Sequence, residues 1–178
     1  MGDQEELPAS AGLLVDAFGR VRETVQTAVD GLDEEQLAHR VDPRANSIAW
    51  LVWHLTRIED DHVAEVAGSA QVWHTDGWVE RFALPFDRDD TGFGHSAEEV
   101  AGVRVGADLL AGYHDAVHAR TVAYLRTLAD GDLAEVVDTR WDPPVTRGTR
   151  LVSVVNDTTQ HAGQAAFVRG LVERRAGR

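Results

Sequence analysis

The spacing of the apolar residues limits the folds open to this chain more than any other feature. Four stretches repeat them at intervals of three and four, the period of a helix with one buried face. The first runs from about Ser10 to Asp30 through Leu13, Leu14, Ala17, Phe18, Val21, Val25 and Val29, and Gly31 stops it. A short acidic helical turn, Leu-Asp-Glu-Glu-Gln-Leu, follows. The second begins after Pro43, with Asn46 or Ser47 as N-cap, and carries Ile48, Leu51, Leu55, Ile58 and His62 before fading near Gly68. The third starts at Ser96, where Ser-Ala-Glu-Glu forms a capping box, and extends to about Ala129. Its stripe is Leu109, Leu110, Tyr113, Val117, Tyr124, Leu125 and Leu128, weakened at the start by Gly102, Gly106 and Gly112. The fourth runs from near Thr149 to about Arg174 through Leu151, Val154, Val155, Ala162, Ala165, Val168 and Leu171. Two long connections separate them, residues 69–95 and 130–148. The expected fold is an all-α four-helix bundle with long crossover connections, a single domain over residues 1–178.

Composition narrows the chemistry. All 17 basic side chains are arginine, and cysteine is absent. A Schiff-base enzyme, a P-loop, a thiolate metal site and a cysteine nucleophile are thereby excluded. The net charge of −13 argues against nucleic acid as a partner, which demands clustered positive charge. Arginine-only basicity with abundant Ala, Val, Gly and Asp points to a high-GC, actinobacterial source. The acidic and polar start, Met-Gly-Asp-Gln-Glu-Glu-Leu-Pro-Ala-Ser, is no secretory signal, and no apolar run approaches the roughly 20 residues of a membrane span. A cytoplasmic protein without a membrane partner is expected.

The sharpest chemical signal lies in the fourth helix. Asp157 and His161 stand four residues apart, on a line with Val154, Ala165 and Val168 that reads as the buried face. A carboxylate there needs a partner or a cation, and an oxygen and a nitrogen one turn apart can grip a metal. The alternative is a purely structural Asp–His hydrogen bond. His54, beside the stripe of the second helix, shifts the balance: if the second and fourth helices pack together, His54, Asp157 and His161 form a three-ligand set that leaves positions open. Zinc, iron(II), nickel and manganese all suit such a set, with zinc the leading expectation. His114 and His118 form a rival pair at spacing four, read as flanking or solvated. His62 lies about 12 Å beyond His54 along the helix, too far to share its ion. His39, His74 and His95 have no assigned role.

Two segments, Ser47-Ile48-Ala49-Trp50-Leu51-Val52-Trp53-His54-Leu55 and Gln160-His161-Ala162-Gly163-Gln164, carry a resemblance to the DinB-like superfamily. These are four-helix metalloproteins that include bacillithiol- and mycothiol-dependent transferases. The resemblance implies one metal-binding histidine in the second helix and a histidine pair in the fourth. His54 and His161 match those positions, and Asp157 stands where the first histidine of the pair would be. It further implies a divalent metal that lowers the pKa of a low-molecular-weight thiol, whose thiolate attacks a small-molecule electrophile. With an actinobacterial source, the thiol would be mycothiol-like.

Other residues receive bland readings beside functional ones. Trp73, Trp78, Phe82 and Phe86 wall a substrate pocket, cover a dimer contact, or pin the crossover to the bundle. Arg140, Arg147 and Arg150 bind cofactor carboxylates or simply offset an acidic surface. Glu59, Asp60 and Asp61 are expected to be solvated, with Asp61 a candidate partner for the His54 ring. Catalytic residues other than metal ligands are not assigned. The leading expectation is a metal-dependent thiol transferase or isomerase, with a homodimer possible. The alternatives are a non-enzymatic stress-response or binding bundle and a metal-dependent hydrolase.

Overall fold

A computed structural model of the chain describes residues 7–176. The acidic start of the chain, read above as no secretory signal, lies mostly outside them. The long helices are α1 (Ala9–Val29), α3 (Ile48–Ala67), α7 (Ala107–Leu125) and α8 (Arg147–Ala176). Short helices α2 (Glu34–Leu37), α4 (Val72–Thr75), α5 (Trp78–Phe82) and α6 (Ala97–Gly102) fill the connections. A 3-10 turn at Asp130–Ala134 leads into a two-stranded antiparallel ribbon, β1 (Val136–Asp138) and β2 (Val145–Thr146). Around the bundle the neighbours run α1, α8, α3, α7, so α3 packs against both α7 and α8. Among the described residues no helix is long and apolar enough to cross a membrane.

Local chemistry sets the helix ends. Ser47 Oγ accepts from the Trp50 amide and starts α3, and Gly68 ends it in the left-handed conformation, at φ 63°. Ser96 and Glu99 close the expected capping box. The helix expected from Ser96 to Ala129 is nevertheless two helices. Between them, buried Val103 and Val105 alternate with exposed Arg104 and Gly106, the period of extended chain, and Gly106 then caps α7.

The apolar interior divides into two clusters. One gathers Val25, Leu51, Leu55, Tyr113, Ala162 and Val168; the other gathers Phe18, Val63, Leu125, Leu151 and Val154. Between them, at the level of Glu59, Thr121 and Thr158, the interior is polar. Glu59 and Asp60 are therefore not solvated as expected: α3 is covered by α7, α8 and the crossover, and both carboxyls are buried. Asp60 accepts from the Val72 and Trp73 amides at 2.9 and 2.7 Å and from the Tyr113 hydroxyl at 2.8 Å. It thus fastens the crossover to α3. Trp73, Trp78 and Phe82 pack on Tyr113 with ring centroids 5.1 to 5.7 Å apart, so these three pin the crossover.

Candidate metal centre

His54, Asp157 and His161 meet at the α3–α8 seam. Each offers one ligand atom, and these atoms lie within 4.8 Å of one another. The two imidazoles meet edge to face at 4.9 Å between centroids. His54 is buried, but Asp157 and His161 are half-exposed. This corrects the sequence reading of the fourth helix. The buried line of α8 is Leu151, Val154, Thr158, Ala162 and Ala165, and Asp157 and His161 stand at its edge, facing both α3 and solvent.

Backbone carbonyls orient both rings. His54 Nδ1 donates to the Thr91 carbonyl at 2.5 Å, and His161 Nδ1 to the Asp157 carbonyl, one turn back, at 2.9 Å. Protons on both Nδ1 atoms leave the Nε2 lone pairs free for a ligand, the arrangement in which metal-binding histidines are usually held. Asp157 Oδ2 lies 3.4 Å from His161 Nδ1, whose proton is engaged elsewhere. That oxygen is buried and without a hydrogen-bond partner among the described residues. A buried acceptor left unpaired is costly, and a cation bridging it to two imidazoles removes the cost. The donor set fits a divalent first-row ion.

The local charges agree with this. Burial raises the Asp157 pKa, but His161, with smaller contributions from His54 and His62, outweighs burial and holds the carboxyl below its usual range. Burial lowers the His54 pKa, favouring the neutral ring that a metal requires. The Asp157 carboxylate raises that of His161, so a metal there would displace a proton that the carboxylate favours.

The loop bearing Thr91 carries groups that helical periodicity does not disclose. Arg57, fully buried, donates to the Asp90 carbonyl at 3.1 Å and the Asp89 carbonyl at 3.4 Å. Asp90 in turn accepts from the Gly92 amide and from His95 Nε2, at 2.7 and 3.0 Å. His95 Nδ1 accepts from Trp50 Nε1 at 3.1 Å, and the Trp50 ring stacks on His54 at 4.6 Å. Gly92 sits at φ +86°, where a Cβ would lie 2.8 Å from the Trp53 ring and 3.0 Å from His54 Nδ1. Only glycine lets the loop approach so closely. The sequence signal was a Thr-Gly-Phe-Gly run inside the crossover.

The remaining candidates separate from this group. Asp61 does not support His54; its Oδ1 accepts from Gln71 at 2.7 Å. His114 is fully buried and His118 half-buried, so the pair is neither flanking nor solvated, and His114 lies 3.7 Å from Glu59. Phe86 does not join the Tyr113 group and packs on His95 at 4.7 Å. Arg140 and Arg150 both bind Asp138, at 2.8 and 2.9 Å, and Arg147 binds Glu135 at 2.8 Å.

Comparison with known proteins bears on the fold and the family. A family model described as Mycothiol-S-transferase matches residues 13–174. The crystal structure of a conserved protein from Enterococcus faecalis superposes with a TM-score of 0.87 at 32% identity, covering 94% of this chain and 98% of that one. A DinB-like protein from Bacillus cereus superposes with a TM-score of 0.57 at 18% identity, covering 92% and 91%, and shares the fold. No curated protein matches. With the family model spanning both α3 and α8, the chain belongs to the Mycothiol-S-transferase family and has the DinB-like fold.

Proposed function

We propose that this protein is a divalent-metal-dependent transferase that joins a low-molecular-weight thiol of the mycothiol type to a small electrophile, with His54, Asp157 and His161 as the metal ligands. One observation carries the reading: two imidazoles with Nδ1 engaged by backbone carbonyls converge on a buried carboxylate oxygen that has no other partner. The metal, zinc in this reading rather than nickel, iron or manganese, would supply a positive charge that favours the thiolate near neutral pH. A bound thiol would also supply a sulfur nucleophile to a chain that has no cysteine of its own.

The protein's own residues supply orientation and dryness. Thr91 and the Asp157 carbonyl set the tautomers, and Trp50 lies flat on His54 and limits its rotation. Trp50 and Trp53, both buried, keep water from the inner side of the site. The half-exposed edge of α8 leaves the outer side open to substrates. A cytoplasmic location belongs to the same reading. So does a homodimer, which would cover exposed Phe93 and Trp141 and which sedimentation velocity tests.

The function is tested by conjugation of a model electrophile with mycothiol, against a protein-free control. Turnover is expected, with loss on chelation and recovery on adding zinc. Turnover without mycothiol, through water alone, would replace the transferase with a hydrolase.

A further inference from the structure

Two cavities border α3 and α8, one towards each end of α3, and they differ in chemistry. Towards the start of α3, a cavity of about 450 Å³ is bordered by Asn46, Leu51, Gln160, Gln164, Phe167 and Val168, none of them charged. Towards the end of α3, a cavity of about 390 Å³ is bordered by Asp61, His62, Glu65, Gln71, Arg140 and Arg150. Both volumes fall in the range of small-molecule sites.

The second cavity has two acids and two arginines, so its formal charges cancel. An anionic ligand there would meet Asp61 and Glu65, and a cationic one Arg140 and Arg150. A neutral ligand bearing many hydroxyls meets neither conflict, because each hydroxyl both donates and accepts. The guanidiniums are already fixed: Asp138, itself buried, holds Arg140 and Arg150 at 2.8 and 2.9 Å. Two polar atoms of the lining, Arg150 Nε and His62 Nδ1, are buried and have no hydrogen-bond partner among the described residues.

We infer that the Arg140/Arg150 cavity is the subsite for the polyhydroxylated body of the thiol co-substrate, leaving the uncharged cavity for the electrophile. The inference rests on the transferase reading and names where its thiol binds. The register agrees: His62 lies about 12 Å beyond His54 on α3, and Arg150 about 10 Å before Asp157 on α8. A thiol carried on a short arm from an amino sugar joined to inositol, as in mycothiol, can bridge that span. The body then rests in the polar cleft while the sulfur reaches the ligands.

Isothermal titration with S-methylmycothiol, whose capped sulfur is a poor metal ligand, reads the subsite apart from turnover. Arg140→Ala and His62→Ala are each expected to weaken binding about tenfold or more, and Phe167→Ala to change it by less than about twofold. The Arg140 side chain is 76% exposed, so its truncation leaves the core intact. S-methyl-N-acetylcysteine, which lacks the sugar and inositol, is expected to bind wild type at least about tenfold more weakly and to ignore Arg140→Ala. Unchanged affinity in Arg140→Ala and His62→Ala overturns the subsite even if mycothiol is conjugated normally. Weakening by Phe167→Ala alone also overturns it, by moving the body to the other cavity. Failure of both conjugation and binding in wild type removes the transferase reading and the subsite together.

Discussion

Two histidine–carboxyl groups share helix α3 and differ in nearly every property that matters for chemistry. His54 faces α8, where Asp157 and His161 lie half-exposed. Five residues on, Glu59 points towards α7, where Thr121 donates to it at 2.7 Å and His114 stands 3.7 Å away, all fully buried. Burial pushes Glu59 up to about 8 and His114 down to about 3, so near neutral pH this interior pair holds no charge. At the seam, by contrast, Asp157 stays ionised and backbone carbonyls fix both rings. Proximity of a histidine to a carboxyl therefore does not mark a metal site. Partial exposure and oriented Nδ1 protons distinguish the seam from the core.

Added zinc should separate the two groups most sharply. At about 100 times its Kd, a ligand of the folded state contributes roughly 2.7 kcal/mol, or about 5–10 °C in Tm for a chain of this size. Scanning fluorimetry is expected to show that shift in wild type and in His114→Ala, and none in His161→Ala. A smaller effect is expected from Gly92→Ala, whose added Cβ presses on Trp53 and the His54 ring and moves the Thr91 carbonyl off Nδ1 while leaving all three ligands in the chain. Zinc affinity, read by competition with a chromophoric chelator, should fall about 10- to 100-fold.

The core pair should leave its mark on stability against pH. Glu59 is protonated in the folded protein and ionised in the unfolded chain between 4.5 and about 8, so it removes stability as pH rises through that window. His114 is neutral when folded and protonated when unfolded between 6.5 and about 3, so it removes stability as pH falls through that range. The opposed slopes cancel between 4.5 and 6.5 and leave a decline on either side, of about 1.4 kcal/mol per pH unit. Urea titrations should show that Glu59→Gln flattens the alkaline decline while keeping zinc binding. Smallest of all, His118→Ala, at the half-buried end of that cluster, should cost about 1 kcal/mol or less and leave zinc binding unchanged.

Much of this architecture could be read from residue spacing. The end of α1 before Gly31, the Ser47 cap and the Ser96 capping box follow from local rules, and so does the pairing of His54 with Asp157 and His161 once α3 and α8 are neighbours. Spacing failed where burial came from more than one side. Helix α3 is covered on nearly every face and exposes only a narrow polar edge, Asp61, His62 and Glu65, beside which Glu59 and Asp60 were misplaced in solvent. The same limit hid His114. The Thr91 carbonyl and the buried Arg57 that anchors its loop were beyond reach for another reason. A backbone oxygen has no side-chain signature, and its position depends on a crossover held by tertiary contacts. The break at Val103–Gly106 had a visible signal, two glycines and alternating valines, but the longer helical pattern outweighed it.

The central claim is that His54, Asp157 and His161 hold a metal while the interior pair does not. Its most direct test is the metal content of untagged protein expressed in zinc-supplemented medium, measured by plasma mass spectrometry for wild type, His161→Ala and His114→Ala. The expected result is near-stoichiometric metal in wild type and His114→Ala and little in His161→Ala. Metal retained in full by His161→Ala, or absent from the wild-type protein, would contradict it.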